Sequence, residues 1–401
     1  MVTQPRQQER RARRRLSALA ATLLTAALVT AAAPASASGP EIPGGFASWE
    51  ALFDAQQVRT DAVEAIRAAA DAAGDTGYSV GEADPTAPAV VLRWKGTPAP
   101  ATAAAITAQR SRIPITVVPA TYNAAELDAA AAKVARGTGD ALYAVVPKVD
   151  GSGLTVEFNP GRTSTEIAAS ARTMAGMPVT VAGEESPTGP VLLSRQNDTT
   201  PYKGGARTNA CTTGFGVSVP GSSRMLYAAH CGVSGQTVYD AAGDAMGALT
   251  DRNQATDIAT IAVSTSGHVW DGGPQSTYFK GVKAAAPALV GNFICTSGSR
   301  SGAVCGGKIN AVGVYNGSIG PLARFLNTNS APMIGQGDSG GPAFATRSDG
   351  GVTAQGVISS GWSSYQTSTC AGETGRTCYR GGHIIDVKQI LSRIGGTIRT
   401  G

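Results

Sequence analysis

All six cysteines fall between Cys211 and Cys378, and residues 1–210 contain none. That asymmetry divides the chain into a part that must hold itself together by packing and a part that can be cross-linked. A length of 401 residues exceeds what one hydrophobic core usually serves, so two folding units are expected. Cysteines concentrated in this way imply an oxidising destination. Six cysteines allow fifteen pairings. The close spacings favour Cys211 with Cys231, Cys295 with Cys305, and Cys370 with Cys378. A zinc site is poorly supported, because there is no C-x-x-C and the three histidines are widely separated.

The N-terminus agrees with export. Arg6, Arg10, Arg11, Arg13, Arg14 and Arg15 precede an apolar run over 16–33, and Ala35-Ser36-Ala37 follows it. Basic start, short apolar stretch and A-x-A end predict a signal peptide over 1–37 rather than a spanning anchor. No membrane association is expected after its removal, and the destination is extracellular.

Residues 38–195 alternate between helical and strand patterns, which predicts a small α+β domain. A helix is expected over 48–73. Asn123-Ala124-Ala125-Glu126 and Thr163-Ser164-Thr165-Glu166 have capping-box spacing and open two more, to about 136 and 175. Strands are expected at 90–94, 115–118, 141–146, 154–158 and 179–182, with Asp150-Gly151 as a hairpin turn. From Pro187 to Thr208 the composition becomes that of an exposed linker, where maturation cleavage is expected. Residues 196–401 then read as an all-β domain. Short Val, Ile and Thr runs at 214–219, 225–229, 258–263, 308–315 and 354–358 recur between Gly, Ser and Asn turns. Only 386–394 reads as a helix, with Asp386 as N-cap.

The chemistry is concentrated in this second part. In Gly337-Asp338-Ser339-Gly340-Gly341-Pro342 a serine stands on a turn that glycine permits. A nucleophilic hydroxyl needs such a turn, together with free backbone N–H groups for a developing oxyanion. Gly337 and Ser339 are the candidate donors. Leu226-Tyr227-Ala228-Ala229-His230-Cys231 ends an apolar strand in a histidine pinned by its neighbour's disulfide, which suits a general base. Asp257 directly precedes the apolar run 258–263, so its carboxylate is carried into the core, where it can orient an imidazole.

The A-A-H-C, T-D-I-A and G-D-S-G-G-P segments, in this order, resemble the bacterial secreted branch of the chymotrypsin-like serine peptidases, the α-lytic protease and streptogrisin type. The resemblance covers about residues 211–394. It implies two six-stranded antiparallel β-barrels with a C-terminal helix, and a Ser339, His230 and Asp257 triad in the cleft between them. It also implies a secreted endopeptidase whose 38–195 region is a pro-region that assists folding and then inhibits. Ser359-Ser360-Gly361 matches the strand that pairs with a substrate backbone, and Cys295 with Cys305 matches a bridged hairpin. Met333 falls at the base of the specificity pocket, where members that cleave after Lys or Arg carry aspartate. An apolar or medium-sized P1 side chain is therefore expected. No cofactor or metal is called for, and the expected partners are protein or peptide substrates and the pro-region of the same monomeric chain.

The chain departs from that pattern in two places. A cysteine common near Met333 is missing, its place taken by the Cys370 to Cys378 loop. An arginine expected after Cys295 is replaced by Thr296, so Arg300 is the candidate partner for Asp338. Two other readings compete. G-x-S-x-G also fits an α/β-hydrolase esterase using Ser339, Asp349 and His383, but Pro342 and the strand-like residues after it deny the required helix. A catalytically dead binding module would have lost one of the key residues, and all are present. Nucleic acid is not an expected partner, since the arginine cluster belongs to the removable leader. Residues 38–195 hold 12 Lys/Arg against 17 Asp/Glu, and 196–401 hold 15 against 10, net −5 and +5. Opposite signs favour docking of the two parts at close range.

Overall fold

The computed structural model describes residues 42–138, 142–158, 165–184 and 196–401. The expected signal peptide, Thr163 and Ser164 of the second capping box, and residues 187–195 of the expected linker lie outside the described residues.

The N-terminal part runs α1 (Trp49–Ala72), β1 (Tyr78–Glu82), β2 (Val90–Trp94), α2 (Pro100–Arg110), β3 (Ile115–Pro119) and α3 (Ala124–Thr138). It continues with β4 (Leu142–Pro147), β5 (Leu154–Phe158), α4 (Thr165–Ala175) and β6 (Val179–Glu184). The capping box expected at Asn123 is formed, and α1 also begins on a side-chain cap. Ser48 Oγ accepts from the Ala51 N–H, and Asn123 with Glu126 forms the reciprocal pair of a capping box.

The C-terminal part opens with β7 (Tyr202–Gly204), β8 (Gly216–Val219), β9 (Ser222–Ala228), β10 (Thr237–Tyr239), β11 (Ala245–Asn253) and β12 (Ile258–Ile261). Next come β13 (Thr265–Trp270), β14 (Phe279–Ala285), β15 (Phe293–Gly298), β16 (Gly302–Asn316), β17 (Ile319–Asn327) and β18 (Ile334–Gly335). Last are β19 (Pro342–Thr346), β20 (Val352–Gly361), β21 (Gln366–Thr367), β22 (Cys378–Tyr379), β23 (Gly381–Asp386), α5 (Val387–Ile394) and β24 (Thr397–Ile398). The side chain of Asp386 accepts from the N–H groups of Lys388 and Gln389, capping α5.

Two six-stranded antiparallel arrays dominate this part. The first has the order β10-β11-β12-β9-β8-β24. In the second, antiparallel ladders join β15 to β16, β16 to β17, β17 to β23, β23 to β20, β20 to β19 and β19 back to β15. That ring is a closed barrel, which leaves its six strands no free edge within it. Val217, Leu226 and Ile258 from the first array share one core with Phe293, Phe344 and Val357 from the second.

The N-terminal part packs on the second barrel instead of standing apart. Leu52 and Phe53 of α1 enter the shared core, whereas Ala62, Val63 and Ile66 of the same helix cover the small β1-β2-β3 sheet. Burying each large apolar side chain of α1 stabilises the docked arrangement by about 1.5–3 kcal/mol. Further on, β4 pairs with the end of β16, Val145 opposite Tyr315, so that β6, β5 and β4 continue the barrel's strand order.

Candidate active site

The site is assembled where the two arrays meet. His230 follows β9 in a short 3-10 turn, and Asp257 immediately precedes β12. Because β9 and β12 pair with Ile258 opposite Ala228, the two polar residues emerge side by side at the same end of the ladder. Asp257 sits in a left-handed backbone conformation (φ 56°), which Asp tolerates better than most residues. Its main-chain oxygen accepts from the Ala229 N–H at 2.9 Å, and its Oδ1 accepts from the His230 N–H at 3.0 Å.

Both carboxylate oxygens of Asp257 lie 2.9 Å from Nδ1 of His230. An ionised carboxylate only accepts, so Nδ1 carries the proton and Nε2 is left with a lone pair. Nε2 is buried and has no hydrogen-bond partner among the described residues. Ser359 Oγ, on β20 of the second barrel, donates to Asp257 Oδ2 at 2.6 Å and ties the carboxylate across the gap between the arrays. Asp257 is wholly buried.

Ser339 stands just before β19. Gly337 and Gly340 flank it with φ of 89° and 86°, a region where a side chain would be strained. At Gly340 a Cβ would also lie 2.3 Å from the Thr212 carbonyl oxygen. The Ser339 hydroxyl donates to the Ser359 carbonyl at 3.4 Å, a long bond, and no hydrogen bond joins it to His230. Ser339 is nonetheless roped to the histidine: Cys231 is disulfide-bonded to Cys211, and the N–H of Thr212 donates to the Ser339 carbonyl at 2.8 Å. The N–H groups of Gly337 and Ser339 have no acceptor among the described residues. Thr212 Oγ1 donates to the Gly337 carbonyl at 2.7 Å and bonds Ser299, bracing the turn from below.

The other residues singled out in the sequence are placed as follows. Cys295 pairs with Cys305 across β15 and β16, and Cys370 with Cys378. Met333 has no exposed surface and packs with Phe325, Ile334, Ile358 and Tyr379. Ser360 Oγ lies 3.1 Å from His383 Nδ1, and Gly361 ends β20. Arg300 does not supply the expected charge to Asp338. Its Nε bonds Glu373 at 3.2 Å, and its main-chain N–H is what reaches Asp338; the guanidinium paired with Asp338 is that of Arg376. A partner contributed by a loop some forty residues further on leaves no local signal in the sequence. Thr212 and the Ser359 to Asp257 bond were likewise illegible, being contacts between distant segments.

Burial pushes the Asp338 carboxyl up from its usual range, and the Arg376 charge opposes this. The alternative set of Ser339, Asp349 and His383 is not assembled. Asp349 is ion-paired with Arg347, His383 meets Ser360, and the residues after Ser339 form a strand. Cys211, His230 and Cys231 present donor atoms within 4.8 Å of one another, but both sulfurs are committed to the disulfide and so are not thiolate ligands.

No family model and no curated protein matches the chain. Solved structures similar to it include Thermobifida fusca protease A, at 22% identity over 50% of this chain and 98% of that one, with a TM-score of 0.38. Cellulomonas bogoriensis chymotrypsin is similar at 27% identity over 50% of this chain and 98% of that one, with a TM-score of 0.36. An α-lytic protease homologue, N4, is similar at 24% identity over 49% and 97%, with a TM-score of 0.36.

Proposed function

We propose that this chain is a serine endopeptidase of the chymotrypsin-like bacterial kind, with Ser339 as nucleophile, His230 as general base and Asp257 as the group that orients it. The observation that carries the reading is the state of His230. Its Nδ1 is held by a buried carboxylate, and its Nε2 is a buried acceptor with nothing to accept from among the described residues. A buried polar atom left unpaired costs free energy, and a serine hydroxyl with only a 3.4 Å bond is a ready donor for it.

Rotation of the Ser339 side chain away from the Ser359 carbonyl presents its proton to Nε2. The oxygen attacks the scissile carbonyl carbon while His230 takes the proton, and Asp257 stabilises the imidazolium. The oxyanion is received by the N–H groups of Gly337 and Ser339. His230 then protonates the leaving amine, and water, activated in the same way, hydrolyses the acyl-enzyme. A substrate strand is aligned by the main chain of Ser359, Ser360 and Gly361, and its P1 side chain is received near Met333. The apolar set of Met333, Ile334, Ile358 and Tyr379, without a carboxylate at 333, supports an apolar or medium-sized P1 residue.

Residues 38–195 are read as a pro-region that assists folding and inhibits until removed, which the docking of α1 and β4 on the second barrel supports. The leader over 1–37 and the three disulfides support secretion into an oxidising medium, where the mature chain acts as a monomer on polypeptide substrates.

The test is labelling by a fluorophosphonate and turnover of peptide amides. The secreted protein is expected to be labelled at Ser339 and to prefer Phe, Leu or Met over Lys or Arg at P1. Ser339→Ala and His230→Ala are each expected to lower kcat on the order of 10⁶-fold. A secreted, folded protein that is neither labelled nor active is a binding module, and the reading fails.

A further inference from the structure

We propose that Arg376, carried on the Cys370 to Cys378 loop, is a positioning residue for the oxyanion-binding turn, fixing the Gln336–Gly337 peptide and neutralising Asp338. The inference rests on the reading of Ser339 as nucleophile and adds to it a group from a segment that contributes no catalytic atom.

The guanidinium is almost fully buried, with its side chain 2% exposed. Two of its bonds belong to its own loop: Nε donates to the Glu373 carbonyl and Nη2 to the Ala371 carbonyl, each at 2.6 Å. Those bonds and the Cys370–Cys378 disulfide make the loop a rigid mount. The remaining contacts face the turn. Nη2 donates to Ser301 Oγ at 3.0 Å, Nη1 donates to the Gln336 carbonyl at 3.3 Å, and Nη1 lies 3.8 Å from Asp338 Oδ2. Ser301 Oγ in turn donates to Asp338 Oδ2 at 2.6 Å, so the guanidinium, the hydroxyl and the carboxylate form one network.

The Gln336 carbonyl matters because it belongs to the same peptide group as the Gly337 N–H, the first oxyanion donor. In a planar trans peptide the C=O and N–H point in opposite directions. Arg376 holds the oxygen on the loop side, so the N–H is turned to the other side, where it has no acceptor among the described residues. The loop grips the residue at its other end too, as the Gln336 N–H donates to the Thr377 carbonyl at 2.7 Å. Gly337, at φ 89°, has the freedom to let this peptide rotate once it is released. A rotated peptide would present a carbonyl oxygen where the oxyanion must sit. Asp338 works in the same direction: buried beside the nucleophile, it needs a countercharge if the turn is to keep its shape.

The test compares Arg376→Met with the secreted wild-type protein, using a peptide amide substrate and a peptide boronate, whose adduct with Ser339 mimics the tetrahedral intermediate. Arg376→Met is expected to lower kcat about 10²-fold with KM nearly unchanged, and to weaken the boronate by a similar factor. Adding Asp338→Asn removes the uncompensated carboxylate and is expected to recover about tenfold of the loss, without restoring the grip on Gln336. The double variant also serves if Arg376→Met alone fails to fold, since a buried pair removed together is tolerated. A double variant with wild-type kcat, or a fall in kcat with undiminished boronate affinity, overturns the proposal. A wild-type protein that is not labelled by fluorophosphonate overturns the peptidase reading instead, and labelling of the wild type beside an undisturbed Arg376→Met overturns this inference alone.

Discussion

Asp257 combines an uncommon backbone with a main-chain oxygen that accepts from Ala229 and a carboxylate that accepts from three groups, and these roles can be separated. Asparagine also tolerates the left-handed region, so Asp257→Asn is expected to fold with an unchanged urea midpoint. It offers an amide in place of one carboxylate oxygen, which favours the wrong imidazole tautomer, so kcat should fall about 10⁴-fold. A fall in stability to match would mean that the carboxylate is chiefly a cap. His383 makes the contrasting case of a histidine outside the proposed triad. It is completely buried, its Nδ1 meets Ser360, and burial together with the Arg324 charge lowers its pKa to about 3. A folded-state pKa below the unfolded value means that only the unfolded chain takes up the proton as pH falls from about 6.5 towards 3. Stability from this residue is therefore complete above pH 6.5 and is lost on acidification, on the order of 3 kcal/mol by pH 4. Urea unfolding of His383→Gln at pH 7 and pH 4, in an inactive Ser339→Ala background, should show a shallower acid loss than its parent. An identical slope would assign the acid sensitivity to other groups.

Helix α1 shows how an element can be legible while its partner is not. A helix was expected over 48–73 and is found at Trp49–Ala72, but nothing local distinguishes Leu52 and Phe53, which enter the barrel core, from Val63 and Ile66, which cover the small sheet. Between these two groups, Gln56 hydrogen-bonds both the N–H and the carbonyl of Phe293 at the start of β15. Replacing Gln56 with Leu leaves two buried main-chain groups unpaired, and the full-length Ser339→Ala protein should lose about 3 kcal/mol in urea unfolding. An unchanged midpoint would mean that water takes the vacated place. The same limit governs the rest of the molecule. The capping box at Asn123 and the run of strands carry their signal within a few residues, so they could be read in advance. Helix α2 was not expected: it starts without a side-chain cap, and the alanines after Pro100 show no polar and apolar alternation. His230, Asp257 and Ser339 stood out because each sits in a distinctive segment, whereas the choice of Arg376 over Arg300 depends on how a loop folds back.

The charge imbalance between the two parts of the chain becomes specific where they touch. Asp84 pairs with Lys308, Glu157 with Arg324 and Glu64 with Lys388, and in each case the acid comes from the N-terminal part and the base from the C-terminal part. The pairs differ in depth. Arg324 and Glu157 are 11% and 8% exposed, and the guanidinium also lies 4.0 Å from the centre of the Trp362 ring, whereas Lys388 and Glu64 are 48% and 35% exposed at 3.7 Å. Removing one partner of a buried pair strands the other charge away from water, so Glu157→Gln should destabilise the full-length Ser339→Ala protein by about 3 kcal/mol. For the exposed pair, Glu64→Gln should change it by less than about 1 kcal/mol, and salt should erase even that. Hydrogen exchange at Val145, in the strand β4 that pairs with β16, reads the same event locally and should accelerate in Glu157→Gln alone. Equal effects of the two substitutions, both fading with salt, would mean that the parts are held by their overall field, and that the buried contact with Arg324 contributes nothing of its own.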